Sequence, residues 1–218
     1  MQPHPPLDPR LIVAETQAWL DRAVIGLNLC PFAKAVRTRG QIRFHVCGAT
    51  DAPSLLAELG TEMSLLASID AAQLDTTLLI HPEAFGDFLD YNEFLGLAES
   101  ALADAGFEGV FQIASFHPQY RFAGTRANDP ANATNRSPYP MLHLLREASV
   151  ERAVAAFPDP AAIVDKNIAT LRSMGAKRWQ ALLRQCNHDA LIATGPPSTT
   201  PEFFAATPNL PIGPIGIR

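Results

Sequence analysis

Residues 117–146 read HPQYRFAGTRANDPANATNRSPYPMLHLLR, and the way this stretch divides between loop and regular structure decides the fold on either side of it. It carries four arginines (Arg121, Arg126, Arg136, Arg146) against one acid, Asp129, in a chain of formal net charge -5. Its Pro, Gly and Asn residues predict a loop through about Ser137. A loop of this length in a compact domain is usually functional or disordered. Tyr120, Phe122, Tyr139 and Met141 order a segment by burial, so the reading is a folded, cationic loop. At its end, Ser137 or Pro138 is expected to start a helix that carries Met141, Leu142, Leu144 and Leu145 up to Arg146.

Upstream, Gly109 to Phe116 reads as a strand that feeds directly into the loop. Gln41 to Cys47 alternates, with Ile42, Phe44 and Val46 on one face and Arg43 and His45 on the wetter one. Thr76 to His81 is a further strand. Between them, Asp51 and Pro53 open a helix striped by Leu55, Leu56, Leu59, Met63, Leu66 and Ile69. Asp90 with Glu93 resembles a capping box for a helix over about 91–105, stopped by Gly106.

Asp8-Pro9 caps an N-terminal helix to about Val24, and Pro31 ends the segment after it while opening a short turn through Lys34. Downstream, Ser149 recaps the chain toward Phe157. A helix runs from Pro160 to about Met174 with Gly175 as its stop, and another spans about 177–186. The expected domain plan is a flexible lead over residues 1–8, one α/β domain over 9–190 and a Pro-rich tail over 191–218. The fold expected is a three-stranded sheet, parallel or mixed, flanked by helices and followed by additional C-terminal helices; a two-layer α+β arrangement is the alternative.

The chain has 218 residues, 47% hydrophobic, enough for one core without staples. A pI near 5.6 argues against nucleic acid or an anionic membrane as partner. Cys30, Cys47 and Cys186 are too scattered for a disulfide framework or zinc module and suit a reducing cytoplasm. The opening residues lack a signal-peptide pattern, and no stretch is long and apolar enough to span a bilayer.

Candidate chemistry gathers around the loop. His117, just past a strand, suits a general acid/base, and His143 and Arg146, three apart on the expected helix, would share a face. Arg121 and Arg136 suit bidentate grip on carboxylate or phosphate, with Tyr120, Tyr139, Asn135 and Ser137 as further contacts. Cys30, ahead of a helix opening, is placed for a nucleophile or a ligand, although a free cysteine is more often simply buried. Walker, Rossmann and nucleophile-elbow motifs are absent.

Three segments, GLNLCPFAKAV (26–36), SFHPQYRFAG (115–124) and NRSPYPMLHLLREASVERA (135–153), are similar to a bacterial family known as domain of unknown function 1415. The resemblance extends over about residues 10–186. It implies that these segments belong together, as a shared site of Cys30, His117, Arg121, Arg136 and His143 would require. It carries no activity, cofactor or catalytic residue with it.

Three functional expectations follow. The first is a cytoplasmic enzyme or binder for a small anionic metabolite, with His117, Cys30 and His143 as catalytic groups. The second is a metal- or haem-binding protein using Cys30, His117 and His143. The third is a non-catalytic interaction module working through the tail and the 159–186 helices. Substrate, reaction, cofactor and oligomeric state stay open at this level.

Overall fold

The computed structural model describes residues 8–157 and 159–195. The expected lead and all but the first residues of the expected tail, with Phe203, Phe204 and the Ile-containing end, lie outside them.

Asp8 accepts from the Arg10 amide and starts α1 (Pro9–Trp19), which passes without a break into a π-helical stretch, Leu20–Ile25. The segment closes on Gly26, where an added Cβ would lie 2.3 Å from the Arg22 carbonyl oxygen; only glycine fits. A short α2 (Ala33–Thr38) leads to β1 (Ile42–Val46), then α3 (Ala52–Ser68), β2 (Thr76–Ile80), α4 (Phe88–Asp104) and β3 (Phe111–Phe116). The cap of α4 is Asp87, which accepts from the Leu89 and Asp90 amides, rather than the expected Asp90. The α4 helix therefore begins three residues earlier than its sequence pattern suggests.

The stretch 138–146 is not a helix. Met141–Arg146 forms β4, followed by α5 (Glu147–Ala155) and α6 (Ala162–Thr194). The sheet therefore has four strands, ordered β1-β2-β4-β3, with β1 and β2 parallel and β4 antiparallel to both its neighbours. The physical reason lies in the burial of β4. Met141, Leu142 and Leu144 are all fully buried, as expected of a central strand covered on both faces. A short apolar run of that kind has no alternation to separate it from a helical stripe. Pro138 and Pro140 also favour an extended approach.

Helices cover both faces, which rules against the two-layer alternative. On one face, α3 and α4 pack Leu55, Leu59, Met63, Leu66, Tyr91, Phe94 and Ala98 on Leu79, Phe111, Leu142 and Leu144. On the other, α1, its π-helical continuation and α6 bring Ile12, Trp19, Ala23, Leu171 and Trp179 onto Leu78, Ile80 and Met141. Leu78 and Ile80 thus point one way and Leu79 the other, the period of two that a strand imposes. The polar face of β1 meets α3: Arg43 pairs with Glu62 at 2.7 Å, and Glu62 is only 2% exposed. Gly175 breaks α6 as expected, at φ 71°, but the helix resumes and runs to Thr194, past the expected helix end near Cys186.

Candidate functional site

The cationic stretch is ordered chiefly by a buried asparagine. Asp129 caps a 3-10 helix, Pro130–Asn135, and Asn132 lies fully buried within it. The Asn132 Oδ1 accepts from the Phe122 amide (3.0 Å) and the Thr125 hydroxyl (2.8 Å), while its Nδ2 donates to the Arg126 carbonyl (2.8 Å). One side chain therefore folds residues 122–132 into a compact lobe. Asn135 donates to the Ser115 carbonyl at 3.0 Å and ties the lobe back to the end of β3.

The arginines take different roles. Arg146 donates to the carbonyls of Leu66, Ile69 and Leu74, closing the C-terminal end of α3. Arg136 donates to the Tyr120 and Ala127 carbonyls at 3.2 and 2.6 Å. It makes no ion pair among the described residues, and burial holds its guanidinium below the ordinary arginine range. Arg121 is exposed and makes no side-chain hydrogen bond among them. Arg121 and Arg136 together line an open cavity of about 430 Å³ with Asp87, Phe88, Leu89, Pro118, Gln119 and Ala127. The loop after β3 supplies one wall and the first residues of α4 the other.

His117 lies behind that cavity, its ring 5.5 Å from that of Phe88, rather than on its surface. His117 is fully buried. Its Nδ1 accepts from the Gln119 amide at 3.0 Å, so Nε2 carries the proton and donates to the Phe85 carbonyl at 3.1 Å. Both ring nitrogens are thereby engaged with main chain, and burial pushes its pKa down. His81, at the end of β2, donates from Nδ1 to the Ala84 carbonyl at 3.1 Å and stacks on Tyr91 at 5.8 Å. Among the described residues its Nε2 is buried without a partner, and burial lowers its pKa to about 4. Between these two imidazoles, Phe85 is held at φ 55°, a strained value for a bulky residue.

His143 and Arg146 do not share a face. Three positions apart on a strand, unlike on a helix, they project to opposite sides of the sheet. His143 contacts Thr76 at 2.7 Å. Because the Thr76 hydroxyl proton goes to the Leu144 carbonyl, the His143 Nε2 must be the donor in that contact. Burial lowers its pKa to about 4. Cys30 packs beside the α1–α6 core, partly buried. Tyr139 donates to the Glu15 carboxylate and Ser137 to the Tyr139 carbonyl. The Tyr120 ring sits 5.1 Å from that of Phe88, packing the loop against α4.

The structure brings Arg121, Arg136, Tyr120 and His117 to one neighbourhood and places Cys30, His143 and Arg146 elsewhere. The expected five-residue site is thus divided between the two faces of the sheet. Among the described residues no group of three or more His, Cys, Asp or Glu side chains is placed to hold a metal ion. Asp87 and Phe88 went unrecognised in the sequence. The signal for them was an Asp immediately ahead of an apolar helical stripe, masked by the equally good cap at Asp90.

Residues 11–181 match the family model described as Protein of unknown function (DUF1415). The chain belongs to that family. No curated protein and no solved structure matches it. The match encloses every element that builds the cavity, from β1 to β4 and the loop, and stops within the second half of α6. No helix among the described residues is long and apolar enough to cross a membrane.

Proposed function

We propose that this member of the DUF1415 family binds a small carboxylate or phosphate compound in the cavity between the loop after β3 and the start of α4. The observation that carries the reading is Arg136: a half-buried guanidinium without a carboxylate partner among the described residues, opening on the same cavity as Arg121. A buried charge is costly unless paired, and an anion in the cavity would supply the pairing. Two guanidinium groups directed at one small volume also suit carboxylate or phosphate geometry. A cavity of about 430 Å³ accommodates a small metabolite.

The proposal is binding, with chemistry left out of it. His117 has both ring nitrogens committed to main chain, so an acid/base role would require it to give up contacts that hold Phe85 and Gln119. The cytoplasmic setting is part of the proposal, and three free cysteines suit it. A thermal-shift screen of carboxylates and phosphates against the native chain and Arg121→Gln tests the reading. Arg121 is the informative position because it is exposed and takes no part in holding the loop. The expected result is stabilisation of the native chain by at least one such anion, reduced about tenfold in affinity by the variant. No shift with any compound, or an equal shift in both chains, overturns it.

A further inference from the structure

The cavity that the proposed function rests on is not uniformly cationic. Asp87 stands in its wall with Arg121 and Arg136, leaving two positive charges against one negative. The Asp87 Oδ1 is occupied by the Leu89 amide at 2.7 Å and the Asp90 amide at 3.4 Å, whereas Oδ2 has no partner among the described residues. The remaining wall is apolar: the Phe88 ring, which also packs on Tyr120, the Leu89 side chain at 61% exposure, and Pro118. Leu89 is among the most exposed large hydrophobic side chains of the fold, and it lies at the edge of this cavity.

We propose that the ligand is a singly charged carboxylate with an apolar body and a hydrogen-bond donor, an amino or hydroxyl group, directed at Asp87. A single carboxylate pairs with Arg121 and Arg136 and leaves Asp87 to meet a donor, whereas a dianion would be left facing Asp87 with charge to spare. The body lies against Phe88, Leu89 and Pro118, removing the exposed leucine from water. An ammonium or hydroxyl on the ligand fills the free lone pairs of Oδ2 with a charge-assisted hydrogen bond. The class is that of amino- and hydroxycarboxylates with an apolar side chain. Free phosphate fits the cationic half of the site only.

The test uses three probes: phenylalanine, 3-phenylpropionate (the same body without the ammonium), and inorganic phosphate. Each is titrated by NMR into the native chain, Asp87→Asn and Arg121→Gln. Asparagine is as good a helix cap as aspartate, so Asp87→Asn removes the charge while keeping α4 intact, which a melting curve checks. The expected result is tightest binding of phenylalanine to the native chain. In Asp87→Asn its affinity falls about tenfold while that of 3-phenylpropionate rises or holds. If the two aromatic probes bind equally, or change in the same direction in Asp87→Asn, the donor-to-Asp87 assignment is overturned while anion binding stands. If phosphate is the tightest probe, the apolar body is overturned. If none binds, or Arg121→Gln leaves all three unchanged, this inference falls together with the anion-binding reading beneath it.

Discussion

Acidification offers the most quantitative test of His81 and His143. His81 and His143 have pKa values lowered to about 4 in the folded chain, against an ordinary value of 6.5. Between those limits the unfolded chain takes up a proton at each position and the folded chain does not. Stability therefore falls as pH drops from about 6.5 toward about 4, and is fully present above that window. Each histidine contributes a slope of about 1.4 kcal/mol per pH unit, or about 3 kcal/mol across the window. Asp8, Asp51 and Asp189 are held below the ordinary carboxylate range and titrate beneath it. The assay is urea unfolding at intervals from pH 7.5 to 4.5. His81→Asn keeps a donor in place of Nδ1 toward Ala84, and His143→Gln keeps one in place of Nε2 toward Thr76, so each removes the titration while preserving the contact. Each should flatten the slope by about 1.4 kcal/mol per pH unit whatever its effect on stability at pH 7.5. A double variant with the native slope between pH 6.5 and 4.5 would refute the assignment.

Other outcomes follow from the same geometry. Gly26→Ala drives a Cβ to 2.3 Å from the Arg22 carbonyl and should cost about 1–3 kcal/mol by chemical denaturation, the π-helical turn being the segment that must yield. Arg146→Met strips donors from the Leu66, Ile69 and Leu74 carbonyls and should cost about 2 kcal/mol in the same measurement. Asn132→Ala leaves the Phe122 amide and Arg126 carbonyl unpaired, and limited proteolysis should find new cleavage confined to residues 122–132. Arg121→Gln should leave the melting temperature unchanged within the equivalent of about 0.5 kcal/mol.

Much of the fold was legible because its signals are local. The alternation of Ile42, Phe44 and Val46, the leucine stripe of α3, the Asp8-Pro9 and Asp51 caps and the break at Gly175 each depend on residues within one turn or one strand of each other. Asn132 was legible only as a polar loop residue. That it organises the lobe depends on Phe122, Thr125 and Arg126 approaching it in space.

Sequence alone determined that helices alternate with strands, that a charged loop follows β3, and that the chain resembles the family to which it belongs. Tertiary structure decided the rest, and β4 marks the boundary. MLHLLR satisfies a helical stripe and a doubly buried strand equally well, and only the open position between β2 and β3, which pairs its backbone on both edges, selects the strand. That selection sends His143 and Arg146 to opposite faces. It also leaves Arg121 and Arg136 facing Asp87 across a cavity whose walls come from parts of the chain about thirty residues apart.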